Sequence, residues 1–205
     1  MKSRKKENIE LGYKIICSIV NEEATVLDLG CGSGELMMLL RDQKRAKCQG
    51  IEILRDNIFK CVEKGLSVFQ LDFDSGLSNY QSDAFDYVIL NRSLQETVHV
   101  EHVLQEAMRV GKRVIIGFPN FAHIGARIQL FFKGRTPVTD SLPHLWYNTP
   151  NLHFLSIRDF EEYIAGRGIR VISRHYFTMR KRVVICPNLF ATDAIYVIAL
   201  ENGGV

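Results

Sequence analysis

The sequence lacks any long apolar run: nothing in it approaches the ~18–20 consecutive apolar residues that a membrane span requires. The charged start, Met1-Lys2-Ser3-Arg4-Lys5-Lys6-Glu7, leads into no apolar h-region, so no secretory signal and a cytoplasmic location are expected. Cysteine is scarce and scattered at Cys17, Cys31, Cys48, Cys61 and Cys186, with no C-x-x-C pair, so neither a zinc site nor a redox motif is expected. An excess of one charge is also missing. Lys plus Arg number 26 against 23 Asp plus Glu, a net charge of +3, which does not describe a dedicated nucleic-acid binder. Small basic groups at Lys2 to Lys6, Arg109 with Lys112 and Arg113, and Arg180 to Arg182 read as solvated ends and turns. Internal repeats, low-complexity tracts, a Gly-x-Ser-x-Gly elbow and a phosphate loop are absent as well.

What is present is the composition of a globular domain, 46% hydrophobic and 24% charged over 205 residues, enough for a core without staples. Apolar periodicity predicts an N-terminal helix near residues 5–20. Short apolar runs then alternate with helical patterns: strands at 24–29, 48–53, 67–71, 85–90 and 113–118, and helices at 35–42, 56–64 and 99–110. Two further β-like runs, 169–176 and 194–199, close the chain. The expected fold is α/β, a doubly wound, mostly parallel seven-stranded sheet with helices on both faces and the last strand antiparallel. Residues 1–205 are expected to form a single domain, interrupted by an inserted helix-and-loop lid near 120–155. That insertion carries Trp146 and Tyr147 among Pro137, Pro143 and Pro150, and long ordered loops are usually functional.

Asp28-Leu29-Gly30-Cys31-Gly32-Ser33-Gly34 follows the first strand and opens the first crossover helix. Its glycines permit torsions closed to other residues and let a ligand approach the main chain. A carboxylate two residues before the turn would repel a pyrophosphate but can hold a cationic or amino-bearing ligand. Glu52 ends the second strand, where a carboxylate can accept both hydroxyls of a ribose. Asp72 follows the third strand and could meet an adenine edge, with Asp74 a near competitor; Asn91 ends the fourth strand. His99, His102 and Glu106 share one helical face, which reads as surface rather than metal site.

Asp28-x-Gly30-x-Gly32-x-Gly34, Glu52 and Asp72 together resemble the class I S-adenosylmethionine-dependent methyltransferases. The resemblance implies S-adenosylmethionine or S-adenosylhomocysteine as ligand. The turn Gly30, Cys31, Gly32 and Gly34 would pass under its amino-acid part and Glu52 would hold the ribose. Asp72 would hold the adenine amino group, Ile53 and Phe73 would accompany these carboxylates as cofactor-binding neighbours, and Asn91 would face the methyl donor. Over nearly the whole chain, Asn91-Arg92-Ser93-Leu94-Gln95, Phe118-Pro119-Asn120-Phe121 and Trp146-Tyr147-Asn148-Thr149-Pro150-Asn151-Leu152-His153 resemble the MetW family of methionine biosynthesis proteins. Asn148 stands where that family's pattern has an aspartate. This resemblance implies a partner, homoserine O-acyltransferase (acetyl- or succinyltransferase), whose activity the protein supports or regulates in L-methionine synthesis. Trp146 and Tyr147 are expected to meet that partner or to close over the cleft. The alternative expectation is a catalytic methyltransferase acting on an unknown small molecule; nucleic acid and membrane are not expected partners, and the catalytic residues are unknown.

Overall fold

Apolar runs bounded by glycine or charge become strands, and amphipathic stretches between them become helices, in the computed structural model of the chain, which describes residues 2–179 and 181–201. Arg180 of the third basic group therefore lies outside the described residues, as do residues 202–205 at the end of the expected domain. The order begins α1 (Lys2–Ile19), β1 (Thr25–Leu29), α2 (Glu35–Lys44), β2 (Lys47–Glu52), α3 (Arg55–Glu63) and β3 (Ser67–Gln70). It continues with β4 (Tyr87–Asn91), α4 (Val100–Val110), β5 (Val114–Pro119), α5 (Ile124–Lys133) and α6 (Ile157–Ile164). The chain closes with β6 (Ile169–Thr178), β7 (Lys181–Arg182), α7 (Pro187–Phe190) and β8 (Asp193–Leu200).

The sheet runs in the order β3-β2-β1-β4-β5-β8-β6-β7. Pairings among β1 to β5 are parallel, whereas β8 runs antiparallel to both β5 and β6. Seven strands were expected and eight form among the described residues. The extra one is a two-residue return of β6 on itself, Phe177 opposite Arg182 and Thr178 opposite Lys181, too short to carry a period. The sequence reading also passed over α6. Its signal is a capping box: Ser156 Oγ accepts from Asp159 N at 3.1 Å, and the Asp159 carboxylate accepts from Ser156 N at 2.8 Å.

Central parallel strands are apolar on both faces because helices cover both. On one face Leu27, Leu29, Val88, Leu90, Ile116 and Phe118 pack beneath α4 and α6, where Phe118 stacks on Tyr196 at 5.9 Å between ring centroids. On the other, Val26, Tyr87, Ile89, Ile115 and Ile195 meet Ile16 of α1, Val20 just after it, and Leu36 and Leu40 of α2. No helix among the described residues is long and apolar enough to cross a membrane.

Candidate functional site

The chain proceeds from β1 outward through β2 to β3, then returns to place β4 on the other side of β1. Such a reversal leaves a crevice at the carboxyl ends of the strands, the usual ligand position of open α/β sheets. Register puts Asp28 opposite Gly50 on β2 and Ile89 on β4, so Glu52, two residues past Gly50, shares its face.

The glycine turn is held from below and open above. Gly30 N and Cys31 N both donate to Ile51 O, at 2.8 and 3.1 Å, and Gly34 N donates to Cys31 O at 3.0 Å. The Cys61 thiol donates to Gly32 O at 3.3 Å and Lys64 Nζ to Ser33 O at 2.5 Å, fixing the loop from α3 and the residue that follows it. Gly30, Gly32 and Gly34 have φ of +76°, +55° and +82°, in the left-handed region that favours glycine. Their surroundings differ. A methyl on Gly34 would meet Leu66 Cδ1 at 2.4 Å and one on Gly30 would meet Ser93 Cβ at 2.8 Å, while one on Gly32 would have nothing within 4 Å. Gly30 and Gly34 serve close packing, and Gly32 faces open space.

Asp28 is buried, and its carboxyl is pushed up to about 7, first by burial and then by the negative charge of Glu52. Glu52 is also buried, and its Oε1 accepts from Ile53 N and Leu54 N, both at 2.9 Å, which aligns the carboxylate at the start of α3. Ile53 is exposed at the lip of the crevice. Cys31 is buried beneath the turn, where desolvation and Asp28 push its thiol well above its ordinary range, so it is packing rather than a nucleophile.

Asp72 and Asp74 differ in what their carboxylates bond. Asp74 accepts from Val98 N at 2.7 Å and His99 N at 2.9 Å, so both its oxygens tie down the start of α4. Asp72 is exposed, and its carboxylate accepts one bond among those described, from Asp74 N at 3.0 Å, while its backbone carbonyl accepts from Ser75 Oγ at 2.6 Å. Phe73 lies between, with Cε1 3.6 Å from where a Gly30 methyl would sit. Asn91 turns its amide towards β5, where Oδ1 fills the space a Gly117 methyl would need. The His102–Glu106 face is engaged structurally: Glu106 accepts from Arg109 Nε at 2.7 Å and from Leu77 N at 2.9 Å, which holds its carboxyl down near about 2. Among the described residues no group of three His, Cys, Asp or Glu side chains is placed to hold a metal.

Sequence reasoning missed several residues around this crevice. Tyr13 of α1 has its phenol pushed up to about 12, chiefly by burial, with Asp28 and Glu35 adding and Arg92 opposing. Its spacing with Ile16 and Val20 on one apolar face was the available signal. Glu96 is raised by burial and then by Glu52. Arg92 adopts a left-handed φ of +65° and pairs with Asp193, which is only 2% exposed.

The insertion is α5 followed by irregular chain to Leu155. His123 Nδ1 accepts from Gly125 N at 3.1 Å, so its basic nitrogen caps α5 and its Nε2 carries the proton. Burial lowers its pKa, with Asp193 opposing. Trp146 and Tyr147 are exposed and meet edge to face at 5.7 Å. Trp146 also walls a groove of about 590 Å³ with Lys133, Arg135, Val138 and Leu145. Asn148 Oδ1 accepts from Leu145 N at 2.9 Å, an acceptor role that an aspartate fills equally.

The sequence profile of the family described as methionine biosynthesis protein MetW matches residues 11–198. A bifunctional methionine biosynthesis protein MetXA/MetW of Rhodopirellula baltica is 32% identical over 200 residues, covering 91% of this chain and 32% of that protein. The chain thus spans about a third of the length of that relative. Among solved structures, a protein of Pyrococcus horikoshii superposes with a TM-score of 0.68 at 19% identity, covering 95% of this chain and 90% of that one. An S-adenosylmethionine-dependent methyltransferase from Archaeoglobus fulgidus gives 0.64 at 15% identity, covering 95% and 93%. The cyclase SpnF gives 0.65 at 14% identity, covering 93% and 81%, so this fold hosts more than one chemistry. The chain belongs to the MetW family of methionine biosynthesis proteins, built on a methyltransferase-like fold.

Proposed function

We propose that the protein binds S-adenosylmethionine or S-adenosylhomocysteine in the crevice and, as a partner of homoserine O-acyltransferase, supports or regulates that enzyme in L-methionine biosynthesis. The observation that carries the partnership is the relative that joins MetXA and MetW in one polypeptide. In this reading the MetXA portion is the acyltransferase, and two units fused in one chain are expected to meet as separate proteins elsewhere.

The residues of the crevice fit the ligand. Gly32 leaves room above the turn for the amino-acid part, and the buried Asp28 offers a carboxylate to its ammonium. Glu52, aligned through Oε1, presents Oε2 to the ribose hydroxyls. Asp72, free of the bonds that occupy Asp74, accepts from the adenine amino group between Ile53 and Phe73. Asn91 borders the methyl-bearing end. The chain acts as one methyltransferase-like unit, with segment 120–155 as its partner-facing or lid element and Trp146 and Tyr147 as aromatic anchors of the kind that dominate interfaces.

Calorimetric titration with S-adenosylhomocysteine, alone and with homoserine O-acyltransferase, tests this. Ligand affinity that changes when the acyltransferase is present is the expected result; binding indifferent to the partner refutes the regulatory reading. The same crevice supports a second reading, methyl transfer to a small molecule, because a ligand site this complete is also what catalysis needs. S-adenosylmethionine would supply the methyl group, and the chain would align donor and acceptor and exclude water. Release of S-adenosylhomocysteine on incubation with candidate acceptors would favour that second reading.

A further inference from the structure

Two buried polar atoms of the segment after β4, Ser93 Oγ and Gln95 Oε1, have no hydrogen-bond partner among the described residues, nor does Asn8 Oδ1 of α1. The Ser93 and Gln95 side chains are almost fully buried, and a buried polar group without a partner calls for an explanation. Ser93 lies directly over the glycine turn, its Cβ 2.8 Å and its Oγ 3.5 Å from where a Gly30 methyl would sit. The same short segment grips the insertion at two separate places. Gln95 O accepts from Leu152 N at 2.8 Å and from His153 N at 3.1 Å. Arg92 pairs with Asp193, whose Oδ2 accepts from Ser141 Oγ at 2.8 Å and from Asn8 of α1. Chain between these anchors, from Ser141 to Leu152, presents the exposed Trp146 and Tyr147. Arg92 holds a left-handed φ unusual for a bulky residue, and such backbone persists only where its surroundings impose it.

We propose that Arg92–Gln95 couples the crevice to the Trp146–Tyr147 surface. A ligand that reaches Ser93 Oγ reorganises the segment, and the change passes through Gln95 O and through Arg92, Asp193 and Ser141 to the loop they suspend. This rests on the crevice reading above and deepens it by naming the route of regulation. Ligand and partner then bind with linked affinities, and the linkage acts equally in both directions.

Trp146 is the only tryptophan in the chain, so its emission reports on this loop alone. The experiment titrates S-adenosylhomocysteine while following heat and Trp146 emission on the same preparation, for the natural protein and for Ser141→Ala. In the natural protein an emission change is expected that saturates with the calorimetric binding curve. Ser141→Ala, outside the crevice, should bind within about threefold of the natural affinity but lose about half or more of the emission response. A circular dichroism spectrum shows that the variant is folded; should it fail to fold, Ser141→Gly or Ser141→Cys takes its place. Binding heat with unmoved Trp146 emission overturns the coupling and leaves the crevice reading standing. An undiminished response in Ser141→Ala overturns the route through Arg92, Asp193 and Ser141 and leaves Gln95 O as the whole of the link. Absence of binding heat removes the crevice reading and the coupling with it.

Discussion

Gly32→Ala and Gly34→Ala separate what the glycine turn does for the fold from what it does for a ligand. Both residues have positive φ, and an L side chain there costs about 1 kcal/mol or somewhat more. At Gly32 nothing lies within 4 Å of the added methyl, so that backbone term is the whole expected cost. At Gly34 the methyl would sit 2.4 Å from Leu66 Cδ1 and 3.0 Å from Cys61 Sγ, both buried. Overpacking of this kind adds about 1–3 kcal/mol, for a total of about 2–4 kcal/mol. In a chain of this size each kcal/mol lowers the melting temperature by about 2–4 °C. Gly32→Ala should therefore melt only a few degrees below the natural protein, and Gly34→Ala roughly 5–15 °C below it. Ligand affinity should reverse the order of severity: the Gly32 methyl enters the ligand's space and should weaken S-adenosylhomocysteine binding at least about tenfold, or ~1.4 kcal/mol. Thermal melts and calorimetric titrations of the two folded variants measure both. A Gly32→Ala variant that binds with natural affinity refutes the placement of ligand over the turn. Equal melting temperatures would refute the assignment of Gly34 to packing.

Glu52→Gln keeps an oxygen for Ile53 N and Leu54 N but loses the charge, and should weaken S-adenosylhomocysteine binding by about 1.5–3 kcal/mol with little change in melting temperature; unaltered affinity takes Glu52 out of the site. Asp28, pushed up to about 7 from 3.8, binds its proton more tightly folded than unfolded. Its contribution to stability is therefore fully present below pH ~4 and lost as pH rises through ~7, a trend that should vanish from denaturant titrations of Asp28→Asn. A ligand ammonium favours the ionised carboxylate, so affinity should rise with pH up to about 7 with proton release, visible as calorimetric heats that depend on the buffer; pH-independent affinity would mean that Asp28 does not meet the ammonium. Ser156→Ala removes one half of the α6 capping box and should cost about 1 kcal/mol in urea denaturation without altering ligand binding; a change in affinity would tie α6 to the site.

The alternation of apolar runs with helical patterns determined the parallel half of the sheet. So did the punctuation at Gly30, Gly32 and Gly34, because periods of two and 3.6 and positive φ at glycine are local properties. Asp28 and Glu52 were legible for the same reason: strand ends fall at the crevice wherever the strands pair in this order. What the sequence could not decide was competition between neighbours. Asp74 is partly buried with Val98 N and His99 N within reach of its carboxylate, whereas Asp72 is exposed. His123 spends its basic nitrogen on the first turn of α5. Tyr13 lies 15 residues before Asp28, and Arg92 lies 101 residues before Asp193. No local pattern joins such pairs; only the packing of α1 on the sheet and the pairing of β8 with β5 bring them together. The sequence by itself determined which backbone could cradle a ligand, and the tertiary structure decided which polar groups remain free to meet one, because hydrogen bonds and burial are settled by contacts distant in the chain.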